Sequence, residues 1–129
     1  MTEIPKRLYL AGPMSGIAQF NFPLFNDVAG RLRARGYDVF NPAENPDSGR
    51  QPRSYYMRLD IPALLTAEAV VLLPGWRGSR GANLEVWIAA DTGIPLYEYA
   101  AVDGEVILEH VPVPRLPRLP FLDSGGEAS

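Results

Sequence analysis

The 129-residue chain contains no cysteine. Disulfides, thiolate nucleophiles and cysteine-ligated zinc are therefore excluded. Histidine is nearly absent too. The single one, His110, stands beside a proline-rich tail, a poor setting for a metal site or a histidine base. Acid-base work falls to carboxylates, and neither a metal nor an organic cofactor is expected. Lysine occurs once, at Lys6, and arginine supplies the remaining positive charge. The formal net charge is -3 and no basic stripe is present, which argues against a nucleic-acid polymer as partner. No apolar run approaches the ~20 residues that cross a bilayer, and no leader pattern is visible. The expectation is a soluble cytoplasmic domain that engages no membrane. No internal repeat occurs. Two phosphate-binding signatures are missing as well. Gly12-Pro13-Met14-Ser15-Gly16 lacks the G-x-G-x-x-G spacing, and no Gly-Lys-Ser/Thr follows it. NAD and ATP are thereby disfavoured.

What is present is an ordinary globular composition, 47% hydrophobic, at the length of one domain. Arg7 to Gly12 reads as a first strand. Asn21 is placed to cap a helix, with Pro23 in its first turn. Phe25, Val28, Ala29 and Leu32 give that helix a buried face, and Gly36 closes it. Tyr37 to Pro42 reads as a second strand, followed by a polar loop from Asn45 to Pro52. A helix from about Arg53 is expected to kink or restart near Asp60, because Pro62 interrupts it. Ala69 to Gly75 is nearly all apolar, as a strand covered on both faces would be. A helix from Ser79 or Arg80 to about Thr92 is expected to bury Leu84, Trp87 and Ile88. Ile94 to Ala101 is a fourth strand. Asp103-Gly104 marks a turn into a short antiparallel strand, Glu105 to Glu109.

Strand and crossover helix alternate, which predicts an α/β fold. It is a three-layer, doubly wound, mostly parallel sheet of flavodoxin or Rossmann type. Residues 1–110 form this domain. Residues 111–129 form an extended arm, with proline at 112, 114, 117 and 120, ending in a disordered tail from Ser124 to Ser129. The arm packs along the domain or onto a second subunit. Ligands of such sheets sit outside the C-terminal strand ends, where both glycine-rich loops fall.

Several residues there admit two readings. Gly12 and Gly16 either turn the chain or let its backbone close round a sugar or phosphate. Ser79, Arg80 and Gly81 open a helix, where a hydroxyl, a guanidinium and free amides suit an anion. Ser79 also reads as a plain cap. Glu85 is either a solvated helix glutamate or a carboxylate able to attack an anomeric carbon. Asp60 either points into the same crevice or caps a segment starting at Ile61-Pro62. Tyr9 is a core aromatic or aims its hydroxyl at the site. The aromatics Phe20, Phe22, Phe25, Tyr55 and Tyr56 stack on a base, fill the core or make a subunit contact.

The stretches YLAGP, RLDIPALLTAEAVVLLPG and SRGANLEVWIA resemble the nucleoside 2-deoxyribosyltransferase superfamily, most closely its small, largely uncharacterised phage and bacterial branch. The likeness runs from Leu8 to Tyr97. It implies a compact doubly wound sheet that forms homodimers or higher homo-oligomers. It implies cleavage of the N-glycosidic bond of a nucleoside or nucleoside 5'-monophosphate, with the sugar passed to water or another base. The family's nucleophile falls at Glu85, its leaving-group or sugar-holding aspartate at Asp60, and its orienting tyrosine at Tyr9. Nucleoside transferases carry aspartate six residues before the nucleophile. This chain has Ser79, as the nucleotide N-glycosidases of the family do, and serine beside Arg80 welcomes a 5'-phosphate. Pro13, Met14 and Ser15 depart from the serine- and arginine-rich first loop of those hydrolases. The candidate site is thus Glu85, Asp60 and Tyr9 for chemistry. Gly12, Pro13, Met14, Ser15, Gly16, Asn21, Ser79, Arg80 and Gly81 are the candidates for binding.

Overall fold

A computed structural model describes residues 4–46 and 49–113. Its strands are β1 (Arg7–Ala11), β2 (Asp38–Phe40), β3 (Ala69–Leu72), β4 (Leu96–Val102) and β5 (Glu105–His110). They form one sheet in the order β2-β1-β3-β4-β5. The first four are parallel, and β5 runs antiparallel to β4. The helices are α1 (Phe22–Ala34), α2 (Arg53–Thr66) and α3 (Arg80–Asp91). This is the expected doubly wound fold in its flavodoxin-like order. The winding reverses at β1, so the switch point lies between the ends of β1 and β3.

Alternation along the strands divides the core. Leu8, Leu10 and Val71 pack with Phe25, Val28, Ala29 and Leu32 of α1, the face the spacing predicted. Tyr9, Ala11, Val70 and Leu72 pack on the other side with Leu64 of α2 and Ala82, Val86 and Ala89 of α3. All four residues of β3 are buried. Asp103 and Gly104, with φ of 50° and 79°, form the two-residue hairpin turn before β5.

Three local expectations are corrected. Helix α2 runs unbroken through Pro62. Proline removes one N–H bond to the carbonyl four residues back, that of Arg58. Both residues are exposed, so the break in the hydrogen-bond ladder falls on the solvent side of the helix, where it costs least. Asp60 therefore sits inside a helix and caps nothing. Asn21 does not cap α1 through its side chain; it is itself in the left-handed region. Finally, α3 turns Ala82, Glu85, Val86 and Ala89 inward, whereas Leu84, Trp87 and Ile88 are only half-buried. Small side chains bring this helix close to the sheet, and the larger ones are left at its flanks.

The arm beyond Val113 and the tail from Ser124 to Ser129 lie outside the described residues. Val111, where the arm begins, is buried and donates its N–H to the Leu96 carbonyl at 2.8 Å.

Candidate functional site

The chain leaves β1 through Gly12. A β-carbon there would lie 2.9 Å from Cβ of Leu73 and 3.3 Å from the Phe25 ring, so this glycine is required by packing against β3. The loop then bends through three consecutive left-handed residues, Gln19, Phe20 and Asn21, with φ of 55°, 54° and 61°. Asn21 Nδ2 donates to the Pro13 carbonyl at 2.9 Å and ties the loop to its own start. The turn lays the Phe20 ring against Gly49 of the second loop, where a β-carbon would come within 2.6 Å of it.

Below this loop lies a cavity of about 200 Å³. Glu85 enters it from the second turn of α3 and Asp60 from α2. Both carboxyls belong to buried residues, each 7% exposed. Tyr9, buried beneath the cavity on β1, donates its Oη hydrogen to Glu85 Oε2. Its ring stacks on Phe40 at 5.3 Å, which fixes the direction of the hydroxyl. Asn45 Nδ2 donates to Asp60 Oδ1 at 2.7 Å.

Burial pushes the Glu85 carboxyl up to about 8; the Tyr9 hydrogen bond pulls against this, the Asp60 charge adds to it, and Arg53 opposes it. Burial likewise raises Asp60 to about 6, against the Asn45 hydrogen bond. The Tyr9 phenol is raised by burial and then by the neighbouring carboxylates, so the proton of the Tyr9–Glu85 bond stays on the tyrosine.

The start of α3 forms the far wall. Ser79 caps it, its Oγ accepting from the Ala82 N–H at 3.1 Å. The Ser79 carbonyl accepts from the Asn83 N–H at 2.9 Å. The amides of Arg80 and Gly81 remain for solvent or a ligand. The Asn83 side chain holds this entry in shape, donating to the Arg77 and Ser79 carbonyls at 2.9 and 2.7 Å.

The cavity gathers some sequence candidates and not others. Glu85, Asp60, Gly12, Met14, Ser15, Ser79 and Gly81 line it. Pro13, Gly16, Asn21 and Arg80 do not, and Tyr9 acts on it through Glu85. Of the aromatics, Phe20, Phe22, Phe25 and Tyr56 line it and Tyr55 does not. Asn45 and Arg53 are among the wall residues that escape the sequence reading. From sequence Asn45 reads only as part of a polar loop. Arg53 reads as a helix start, yet its guanidinium lies 3.9 Å from the position of a β-carbon on Gly81. No carboxylate among the described residues is within ion-pair distance of Arg53. A signal for it existed. Arg53, Tyr56, Met57 and Asp60 share one face at helical spacing, but only if the helix is read as unbroken.

Among the described residues no cluster of three or more His, Asp or Glu is spaced to hold a metal ion. No helix among them is long and apolar enough to cross a membrane.

Fold and site together define a flavodoxin-like α/β domain with two buried carboxyls at its switch point. Residues 6–98 match a family described as Domain of unknown function (DUF4406), and the chain belongs to that family. The fold is shared with the solved structure of a 2-deoxyribosyltransferase from the psychrotolerant bacterium Bacillus psychrosaccharolyticus. That chain is 23% identical, with a TM-score of 0.57, over 70% of this chain and 69% of the other. No curated protein matches.

Proposed function

We propose that the protein is an N-glycosidase of (deoxy)nucleoside 5'-monophosphates that works through a glycosyl-Glu85 intermediate. One observation carries this reading: Glu85 and Asp60 present buried carboxyls to a single small cavity, and Tyr9 grips one of them. With Oε2 held by Tyr9, Oε1 of Glu85 attacks C1'. The glycosidic bond breaks, and its electrons leave with the base, which takes a proton from Asp60. Water then attacks C1', returning its proton to Asp60 and freeing Glu85.

The charge states fit this scheme in a particular way. Between about pH 6 and 8 the pair holds one proton. In that window the proton rests on Glu85, the weaker acid, so the reacting form, with the proton on Asp60 and the charge on Glu85, is the minor tautomer of the pair. Tyr9 and Arg53 both favour charge on Glu85. The rate constant kcat/KM is therefore bell-shaped, with limbs near 6 and 8. For the 5'-phosphate, the Ser79 hydroxyl, the Gly81 amide and the Arg53 guanidinium are the available donors. The apolar wall, with Phe20 and Phe22, suits a planar base.

A second reading, transfer of the sugar to another base, draws on the structural similarity to a 2-deoxyribosyltransferase. The cavity of about 200 Å³ is small for a ligand site, and in either reading the first base leaves before water or a second base enters.

A panel of nucleosides and their 5'-monophosphates, assayed for free base, tests the proposal. Monophosphates are expected to react fastest, and Glu85→Gln is expected to lose about 10³-fold or more. A 2'-fluoro substrate should leave a sugar adduct on the peptide containing Glu85. Turnover in Glu85→Gln within tenfold of wild type would overturn the proposal. Base exchange upon adding free base would select the second reading.

A further inference from the structure

Asn45 is held unusually well for a loop residue. It ends the single turn Pro42–Glu44, and its own N–H donates to the Pro42 carbonyl at 3.2 Å. That turn is pinned to α1 at two points. Asn41 accepts from the Ala43 N–H at 3.1 Å and donates to Asn26 at 2.9 Å. Glu44 takes a two-pronged contact from Arg33, at 2.7 and 2.8 Å. Arg33 also donates to the Val39 carbonyl at 2.8 Å. The turn anchored on α1 therefore fixes the backbone of Asn45, whose side chain bonds Asp60.

We propose that Asn45 is a positioning residue: by donating to Oδ1 of Asp60 it leaves Oδ2 as the oxygen that carries the proton given to the departing base. The inference rests on the N-glycosidase reading above. The polar and titratable groups around Asp60 are Asn45 from the loop, Glu85 from α3 with Tyr9 of β1 behind it, and Arg53 and Tyr56 on its own helix. Of these, the Asn45 amide is the donor that makes a direct bond to the Asp60 carboxyl. It favours the charged acid, in opposition to burial. It thus keeps Asp60 able to release its proton while burial keeps it able to hold one.

The test replaces Asn45 in the full chain. Asn45→Leu removes the donor. Asn45→Asp keeps the shape and replaces the donor with an acceptor. Both are expected to move the acid limb of kcat/KM upward from about 6, by roughly one pH unit for leucine and further for aspartate. Titration of the Asp60 carboxyl by 13C NMR, with Asp60→Asn for assignment, should move in step. A merely structural role would lower the rate at every pH and leave both titrations in place. An unmoved acid limb and an unmoved NMR titration, in protein folded by circular dichroism, overturn the proposal. If wild type releases no base from any nucleotide, the functional reading falls, while the NMR titration still decides the Asn45–Asp60 pairing.

Discussion

The two faces of the sheet are built from the same strands yet carry different work. Toward α1, the buried positions of β1 are Leu8 and Leu10, set among apolar neighbours. Toward α2 and α3 they are Tyr9 and Ala11, and above them Glu85 and Asp60 are buried as well. Adjacent residues of one strand thus separate packing from chemistry. A polar group inside a protein is costly unless bonded, and a carboxyl most of all, so the two buried carboxyls on this face mark where the molecule accepts that cost. Tyr9 meets Glu85 and Asn45 meets Asp60, so neither acid is left without a donor.

Substituting neighbours across that divide gives the largest effects. Leu8→Ala should lower stability by about 2–5 kcal/mol, read by urea unfolding, with kcat/KM of the folded fraction unchanged. Tyr9→Phe should weigh the other way. It keeps the ring stacked on Phe40 and removes one hydrogen bond to a buried carboxyl, so activity falls about 10- to 100-fold while stability drops by only about 1 kcal/mol. If Tyr9→Phe unfolds the protein as readily as Leu8→Ala does, the division between the faces fails.

Burial of Glu85 should also appear in stability against pH. The unfolded chain releases this proton near its ordinary value of 4.5, the folded protein near 8. Between those values the folded state binds the extra proton, so this contribution to stability declines as pH rises from 4.5 to 8 and is level above. Asp60 adds a decline between 3.8 and about 6. Glu85→Gln should therefore melt higher than wild type at pH 9, with the gap closing toward pH 5. Parallel melting curves for the two proteins across that range would place Glu85 in contact with water after all.

Much of the frame was legible from residue order. The buried face of α1 followed from Phe25, Val28, Ala29 and Leu32, and the hairpin from Asp103-Gly104. Sequence reading failed where tertiary packing overrode a local rule. Proline at position 62 signals a break, but its lost hydrogen bond faces solvent and the helix continues. That error hid the shared face of Arg53 and Asp60. Arg80, the cation expected from its place beside Ser79 at a helix start, is exposed and outside the cavity wall. Asn45 was invisible for a different reason. Its partner is fifteen residues away on another element, and no local pattern records such a pair.

The smallest expected effect concerns the loop over the chemical face. Gln19, Phe20 and Asn21 are all left-handed, at a penalty of about 1–2 kcal/mol for Gln19 and Phe20 and less for Asn21, since asparagine tolerates this region. Phe20 has a ring on the cavity wall and Asn21 has its bond to Pro13, so both return something for that strain. Gln19 does not line the cavity, and no side-chain hydrogen bond from it is found among the described residues. Glycine at 19 relieves the strain but gives the unfolded chain more freedom, worth about 0.5–1 kcal/mol in the other direction. Gln19→Gly should thus stabilise the protein by roughly 0.5 kcal/mol with activity retained. Asn21→Gly, which relieves less strain and cuts the tie to Pro13, should gain nothing and should raise KM. Equal outcomes for the two variants would show that the loop is held by its backbone alone.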